Sequence, residues 1–372
     1  MVVDGVYHGA ARAGRGTEPH GAAAAVRADL DERTSRHATG RVDRRGPERV
    51  ALVGRHESLR PDRDVPDPRI HPLHRSDATG ACQHGAVPSA LDDLVTLLDL
   101  EQIEVNIFRG RPSDENRQRV FGGQVAGQAL VAAARTIDEP DRRVHSLHAY
   151  FLRAGTQGAP ILYEVDRIRD GTSFSTRRVV AIQHGKAIFN LHASFQRHED
   201  GLEYQVDADG TAPDPESLPD FTTRMEPYRE QLGEWYLRPR PIDQRYCDGN
   251  PFDRKGKPLP GQRVWFRADG RLPDDPVLHA CVATYASDMT LLDTALLPHG
   301  LAWIDGSVQM ASLDHAMWFH RDFRADEWLM YQQASISTSG SRGLAEGRIY
   351  SPDGRLVITV VQEGLTRLVR GR

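Results

Sequence analysis

The sequence of 372 residues contains only three cysteines and no long apolar run. Cys82, Cys247 and Cys281 lie far apart and are odd in number, which argues against a disulfide framework or a CxxC metal site. No apolar run approaches the roughly 20 residues that a membrane-spanning helix needs, and the amino terminus lacks the apolar core of a signal peptide. The sequence therefore predicts a cytoplasmic protein without membrane insertion.

Motifs for common cofactors and nucleophiles are also missing. There is no Walker loop and no GxGxxG, and the segment Gly171-Thr172-Ser173-Phe174-Ser175 lacks the second glycine of a nucleophile elbow. The histidine pairs on predicted strands have odd spacings, so the two members of each pair fall on opposite faces and cannot share a metal ion. These pairs are His145 with His148 and His315 with His320. Since the net charge is -5, we expect no nucleic-acid partner, and we also expect no metal and no cofactor.

Residues 1–88 lack Lys, Trp and Phe, and Tyr7 is their only Phe, Trp or Tyr residue. They sustain no apolar periodicity, so they cannot bury enough apolar surface to offset chain entropy. Arginine without lysine also resembles GC-rich DNA translated upstream of a gene start, with Val87 as a candidate GTG start. An Arg-rich nucleic-acid arm is the alternative, but 12 Asp and Glu interrupt the 14 Arg. We expect a disordered or spurious extension.

From residue 89 onward, a helix followed by extended segments occurs twice. The first half opens with a short helix over about 90–99, and a helix of small residues begins near Val120, where the pattern indicates burial almost all round. The second half has a helix with Asp275 as N-cap and Pro276 at its first position. The predicted strands, bounded by turn signals, are 101–109, 145–153, 161–169, 173–183 and 186–196, then 264–267, 308–320, 328–335, 341–350 and 355–364.

Individual residues also match between the halves. His148-Ala149-Tyr150-Phe151 parallels His315-Ala316-Met317-Trp318, Arg177 parallels Arg342, and Gln196 parallels Gln362. The separation from His148 to Gln196 is 48 and that from His315 to Gln362 is 47. Several matches in the same order indicate an internal repeat.

The repeat predicts the domain organisation and the fold. Residues 89–197 form an N-terminal hotdog domain, 198–262 a polar, Pro-rich linker that leads into the second half, and 263–372 a C-terminal hotdog domain. A helix followed by an antiparallel meander, twice over, predicts an α+β double hotdog in which two antiparallel sheets each wrap around a central helix. Pairing the halves covers the apolar surface and the sheet edge that one half alone exposes.

Asp288 is the most informative single residue. On the helix that begins at Pro276, the apolar positions Cys281, Val282 and Tyr285 continue by steps of three and four to Asp288. This spacing places a carboxylate on the inward face, where burial without a partner costs several kcal/mol. The alternative, equally compatible with the pattern, is a helix that ends before 288 and leaves Asp288 as a loop or capping residue.

Two further polar residues lie on predicted strands of the second half. Gln362 alternates with Leu356 and Ile358 and shares their apolar face, where an amide needs hydrogen-bond partners; alone, it is more simply the polar end of a strand. Ser312 lies in mixed alternation, so its face is not assigned, and a strand serine is usually structural. His315, three residues further along the same predicted strand, should point to the opposite face from Ser312.

Gly122-Gly123 stands at the start of the small-residue helix. Free N–H groups at a helix start can bind an anion or an oxyanion. Close packing of the helix is the commoner reason for such a pair.

Six motifs in residues 89–372 are weak alone but very specific together. They are Val120-Phe121-Gly122-Gly123-Gln124, His145-Ser146-Leu147-His148-Ala149-Tyr150-Phe151-Leu152-Arg153, Arg169-Asp170-Gly171-Thr172-Ser173-Phe174, Tyr285-Ala286-Ser287-Asp288, Asp314-His315-Ala316-Met317-Trp318-Phe319-His320 and Val361-Gln362-Glu363-Gly364. With these motifs, residues 89–372 resemble the acyl-CoA thioesterase II family, a double hotdog, along nearly their whole length.

The resemblance implies hydrolysis of fatty-acyl-CoA to a free fatty acid and CoA, a role in lipid metabolism, and a homo-oligomer of double-hotdog protomers. It implies that an Asp, a Thr or Ser, and a Gln jointly hold the attacking water, and these match Asp288, Ser312 and Gln362. The hydroxyl residue is Ser here where Thr is common, and both hydroxyls form hydrogen bonds.

Two other functions stay open from the sequence. One is a hotdog enoyl-CoA hydratase or dehydratase, which typically uses an Asp–His pair that His315 would complete. The other is a non-catalytic acyl-CoA-binding protein. Hydration of a 2-enoyl-CoA discriminates the first, and release of free thiol excludes the second.

Overall fold

A computed structural model of the protein describes residues 89–112 and 119–369. The predicted extension over residues 1–88, including Val87, lies outside these ranges. Within them, no helix is both long and apolar enough to cross a membrane.

The described residues form two long helices, several short ones and 13 strands. The helices are α1 (Ala90–Leu98), α2 (Gly122–Ala134), α3 (Phe221–Met225), α4 (Arg229–Leu232), α5 (Glu234–Leu237) and α6 (Pro276–Ser287), with 3-10 turns at Pro215–Ser217, Glu226–Tyr228, Pro251–Arg254, Leu292–His299 and Trp303–Asp305. The strands are β1 (Glu101–Glu104), β2 (Ile107–Gly110), β3 (Arg142–Phe151), β4 (Ile161–Asp170), β5 (Phe174–Gln183), β6 (Lys186–Arg197), β7 (Ile242–Tyr246), β8 (Gly261–Ala268), β9 (Val308–Ser312), β10 (Asp314–Phe319), β11 (Leu329–Ser339), β12 (Arg342–Tyr350) and β13 (Leu356–Leu368).

All strands of the described residues join one antiparallel sheet. Its order is β1-β2-β4-β5-β6-β3-β10-β13-β12-β11-β8-β7, with β9 paired to β13 outside this path. Strands β3 and β10 pair at the centre, from Asp314 opposite Tyr150 to Trp318 opposite Ser146. The two predicted sheets are therefore continuous across the middle of the molecule, and the predicted α+β class is confirmed.

Helices α2 and α6 pack against each other in antiparallel orientation. A side chain added at Gly123 would meet the carbonyl oxygen of Tyr285 at 2.4 Å, and one added at Gly127 would meet that of Cys281 at 3.2 Å. The two contacts run in opposite directions along the two helices, and at Gly123 the backbones approach so closely that a side chain would not fit. Both helices are buried over nearly their whole length. The amino terminus of α2 consequently lies beside the carboxyl terminus of α6.

The predicted cap of α6 is present. The Asp275 side chain accepts a hydrogen bond of 2.9 Å from the Val277 N–H, and Pro276 occupies the first turn. Because proline lacks an N–H, it leaves no unpaired donor at that position.

One predicted strand is interrupted. The segment 308–320 forms two strands, β9 and β10, separated at Leu313. Ser312 lies opposite Gly364 on β13, whereas Ala316 lies opposite Val361, so the register changes by one residue between the two strands. This irregularity is a β-bulge, which reverses the alternation of side chains beyond it.

The repeat holds for the order of elements but not for the residues matched within it. His148 is exposed and His315 is buried; Arg177 is buried and Arg342 is exposed. The bulge is one cause, because it moves the side chains of β10 by one position relative to an uninterrupted strand.

Residues 198–262 hold more regular structure than their composition predicts. Helices α3 to α5 lie there, and β7 pairs with β8 at the edge of the sheet. The aromatic residues of this polar segment help to form an apolar cluster. The polar overall composition of the segment does not predict such a cluster. The buried members of that cluster are Met225, Leu232, Tyr236, Phe252 and Ala302.

Candidate active site

Asp288 lies where α6 ends. The helix stops at Ser287, and Asp288 is its C-cap, with its own N–H bonded to the Ala286 carbonyl. The residue is only 2 % exposed. Both interpretations of the sequence therefore hold in part: Asp288 is a capping residue, and its side chain still faces the interior.

Gln362 and Ser312 come from neighbouring strands. Gln362 lies in the middle of β13, which continues to Leu368, and is fully buried. It is thus on the apolar face predicted by alternation and is not the polar end of the strand. Ser312 is the last residue of β9, directly before the bulge, and is partly buried.

The structure brings the three predicted residues into one hydrogen-bonded cluster. Gln362 Nε2 donates to Asp288 Oδ1 at 2.6 Å and to Ser312 Oγ at 3.0 Å. Ser312 Oγ donates to the same Asp288 Oδ1 at 3.3 Å. The cluster joins residues that are 24, 50 and 74 positions apart in the chain.

The protons of this cluster can be assigned. An amide nitrogen has two protons and a hydroxyl has one, so Gln362 and Ser312 use all of theirs within the cluster. Both donors that reach Asp288 bind Oδ1. Within residues 89–112 and 119–369, the buried Asp288 Oδ2 and Gln362 Oε1 have no hydrogen-bond partner. Oδ2 therefore keeps its lone pairs free.

The free oxygen Oδ2 faces the first residue of α2. A side chain at Gly122 would approach Oδ2 to 2.6 Å and the Phe151 ring to 2.9 Å. The first N–H groups of a helix have no partner within the helix and carry partial positive charge. Antiparallel packing of α2 and α6 thus places a carboxylate oxygen beside a helix amino terminus.

The chain is similar to proteins of a known family. A model for the acyl-CoA thioesterase family matches residues 241–365, and a model for the acyl-CoA thioesterase N-terminal domain matches residues 111–196. Human acyl-coenzyme A thioesterase 8 is 41% identical over 310 residues, covering 80% of this chain and 96% of that protein. The chain belongs to the acyl-CoA thioesterase II family.

Solved structures agree with this family assignment. The crystal structure of an acyl-CoA thioesterase II from Mycobacterium marinum superposes with a TM-score of 0.63 at 46% identity, covering 75% of this chain and all of that one. A hot dog fold protein from Alicyclobacillus acidocaldarius superposes with a TM-score of 0.60 at 17% identity, covering 75% of this chain and 99% of that one, and shows the fold alone. The predicted double hotdog is confirmed, and the chain is an acyl-CoA thioester hydrolase.

The prediction for His315 was wrong. The bulge at Leu313 puts His315 on the same buried side as Ser312, because it adds one residue between them. His315 is 1 % exposed, and its Nε2 lies 2.9 Å from the Ser287 hydroxyl. Burial lowers the pKa of His315, and the nearby Asp288 charge opposes this shift.

The sequence does not identify two neighbours of the Asp288 cluster as site residues. Ser287 adjoins Asp288, and its carbonyl accepts a hydrogen bond from the Tyr331 hydroxyl at 3.3 Å. Burial, assisted by the charge of Asp288, raises the pKa of Tyr331 well above its ordinary value. Tyr331 lies on β11 with no motif around it, so only the fold shows its proximity.

The described part of the thioesterase contains no group of three His, Cys, Asp or Glu residues placed to hold a metal ion. Cys247 and Cys281 are free thiols, and Cys281 is buried in α6. Burial raises the pKa of the Cys247 thiol to about 11.

Proposed function

We propose that the protein hydrolyses fatty-acyl-CoA to a free fatty acid and CoA by direct attack of a water that Asp288 activates. The observation that carries this proposal is the distribution of hydrogen bonds on the carboxylate. Oδ1 accepts both donors of the cluster, while Oδ2 remains a free acceptor. A base needs an oxygen with available lone pairs, and Oδ2 supplies it.

Gln362 and Ser312 orient the base and the water. Their bonds to Oδ1 hold the carboxylate plane, and Gln362 Oε1 is a second free acceptor on a group bonded to Asp288. A water has two O–H donors, and we propose that it donates one to each of these two oxygens. A water held in place reaches the thioester at a lower entropic cost, and this increases the rate.

The amino terminus of α2 is suited to bind the thioester carbonyl oxygen during the reaction. Attack on the thioester carbonyl develops negative charge on its oxygen, and preorganised backbone N–H groups stabilise such an oxyanion. Gly122, the first residue of α2, lies against Oδ2. A thioester carbonyl whose oxygen accepts hydrogen bonds from this terminus would place its carbon beside the water that Oδ2 activates.

Ser312 is proposed as an orienting residue and not as a nucleophile. Its hydroxyl proton is donated to Asp288, and its oxygen accepts from Gln362. His315 directs Nε2 to Ser287 and not to Ser312. A serine nucleophile requires an adjacent base to take its proton. Thioesters do not require covalent catalysis, since thiolate is a good leaving group.

A single-turnover reaction in H₂¹⁸O tests this mechanism. With enzyme in excess over acyl-CoA, direct attack by water puts one ¹⁸O into the fatty acid during the first turnover. Attack by the Asp288 carboxylate would instead form an anhydride, and water attack on its aspartyl carbonyl would leave an ordinary enzyme oxygen in the acid. Mass spectrometry of the product detects this transfer, and an unlabelled first-turnover acid would exclude the water mechanism.

Substrate range is measured separately. A DTNB assay of thiol release across an acyl-CoA series gives kcat/KM as a function of chain length. We propose fatty-acyl chains, which would occupy an apolar slot between helix and sheet. A maximum at acetyl-CoA, with no gain on lengthening, would contradict this choice.

The domain organisation is also proposed. Residues 89–197 and 263–372 are the two hotdog halves, with 198–262 between them, and residues 1–88 are dispensable. A chain that begins near Val87 should keep the melting temperature and kcat/KM of the full chain. A large loss of either would show that the extension matters.

We further propose a cytoplasmic homo-oligomer that acts in lipid metabolism. The free thiols Cys247 and Cys281 are compatible with a reducing compartment. Cell fractionation tests the compartment, and light scattering of the purified protein tests the oligomer, with a monomer mass at working concentration as the contrary result.

A further inference from the structure

Ser287, the residue directly before the proposed base, is held by side chains from two different strands. His315 of β10 bonds its hydroxyl at 2.9 Å, and Tyr331 of β11 bonds its carbonyl oxygen at 3.3 Å. All three residues are at most 1 % exposed. The sheet therefore binds the last residue of α6 through both its side chain and its backbone.

We assign the proton of His315 to Nε2 from the hydrogen bonds around the Ser287 hydroxyl, which has two acceptors besides His315 within reach. The Ser287 hydroxyl has one proton, and it is directed to the Thr284 carbonyl at 2.9 Å, with the Met317 thioether a weaker acceptor at 3.5 Å. The hydroxyl oxygen therefore accepts from His315, and Nε2 is the N–H donor. A neutral imidazole with its proton on Nε2 fits a fully buried site, where desolvation disfavours the charged form.

The position of Asp288 depends on this residue. Asp288 is the C-cap, and its carboxylate must meet Gln362 on β13 at 2.6 Å. Helix ends fray more readily than helix interiors, so the last turn of α6 needs an external restraint if its cap is to stay in register with the sheet. The bonds to Ser287 supply that restraint one residue away from the carboxylate.

We propose that His315 and Tyr331 are positioning residues that hold Asp288 in its reactive place by clamping Ser287. The inference rests on the proposed role of Asp288 as base. Neither side chain takes part in proton transfer with the substrate. A displacement of the carboxylate by a fraction of an ångström lowers kcat without changing how acyl-CoA binds.

Ser287→Ala is the decisive variant, because alanine favours the helix and removes only the hydroxyl. We expect kcat to fall about tenfold with KM unchanged, since misplacement of a catalytic group costs rate and not affinity. Tyr331→Phe should lower kcat severalfold. Wild-type kcat in folded Ser287→Ala would overturn the proposal.

Two substitutions of His315 separate its nitrogens. Gln places an amide near Nε2 and can still donate to Ser287, whereas Asn places its amide near Nδ1 and cannot reach. Since the bonds to Ser287 are proposed to position Asp288, His315→Gln should keep most of the wild-type kcat and His315→Asn should lose it. The double variant Ser287→Ala with His315→Asn should be no worse than either single variant. An active His315→Asn beside an inactive His315→Gln would show that Nδ1 matters instead, and would overturn the clamp.

Matched controls separate this effect from general destabilisation. Tyr163 is fully buried in the first half and donates its hydroxyl to Gln128 at 2.7 Å. Tyr163→Phe should lower the melting temperature as Tyr331→Phe does, yet keep kcat. If Asp288→Asn abolishes hydrolysis while Ser287→Ala does not affect it, only the clamp fails; if Asp288→Asn stays active, the proposed function fails as well.

Discussion

Asp288→Asn is the substitution whose outcome the hydrogen bonds determine most fully. Gln362 Nε2 donates to Oδ1 at 2.6 Å, so an asparagine amide nitrogen at that position would set donor against donor. The new side chain must therefore keep its carbonyl oxygen at the Oδ1 position and put its NH₂ group at the Oδ2 position, unless the Gln362 amide turns over. In either arrangement an amide replaces the carboxylate and the base is lost, while shape and packing stay almost the same.

The expected loss follows from the role removed. General-base catalysis contributes about 10²–10⁴ in rate, and each factor of ten corresponds to about 1.36 kcal/mol of activation free energy. We therefore expect kcat to fall by about 10² or more, or at least about 2.7 kcal/mol. KM should change little, because the substitution removes an interaction made in the transition state.

The assay is thiol release with DTNB under saturating acyl-CoA, combined with thermal unfolding to show that the variant is folded. Asp326→Asn is a suitable control, since the Asp326 side chain is 1% exposed and bonded to Arg324 and to the Leu272 N–H, but takes no part in the cluster. That variant should lose stability and keep kcat. A folded Asp288→Asn enzyme that hydrolyses at near the wild-type rate would refute the assignment of the base.

Three further results are expected. Ser312→Thr should retain substantial activity and Ser312→Ala should weaken it without abolishing it, with no pre-steady-state burst of CoA; a burst equal to the enzyme concentration, or an acyl adduct on Ser312, would favour nucleophilic catalysis. Gly122→Ala should lower kcat about tenfold or more, because the new methyl would lie 2.6 Å from Oδ2, whereas an active variant would place the reaction elsewhere. The contribution of the buried His279 and His315 to stability should decrease as pH falls below about 6.5, because burial lowers their pKa from 6.5 and the unfolded chain then binds more protons. Asp293, whose pKa burial raises to about 7, acts in the opposite direction. A pH dependence of the melting temperature between 7 and 5 that is unchanged in His279→Gln would contradict the last of these.

The sequence predicts those parts of the fold and the site that depend on local pattern. Helix α6 and its cap at Asp275 follow from residue type and spacing, and the inward face of Gln362 follows from alternation. The resemblance to a family implies Asp288, Ser312 and Gln362 as a set. The structure then shows their side chains in contact. Alternation alone assigns a face only while the strand is regular.

The errors arise where a local irregularity changes the pattern. The bulge at Leu313 is marked by no glycine or proline, so nothing in the sequence separates β9 from β10. Because of this single extra residue, His315 lies in the core beside Ser287, on the same face as Ser312 and not on the predicted opposite face. Contacts between distant elements, such as Tyr331 with Ser287, are equally invisible because no periodicity links β11 with the end of α6.

The antiparallel helix pair also gives a reason why the proposed site occurs once in two similar halves. Its two ends are alike in geometry, since each joins the amino terminus of one helix to the carboxyl terminus of the other. At the end that carries the proposed site, Gly122 begins α2 and Asp288 caps α6. At the opposite end, Pro276 has no N–H, the next N–H is taken by Asp275, and the cap of α2 is Arg135, whose guanidinium pairs with Asp99. The Val277 N–H at that end is therefore already paired, and the residue that caps α2 is basic and not a carboxylate. We propose that the repeat duplicates the scaffold and that only the pair of termini beside Gln362 carries the catalytic residues.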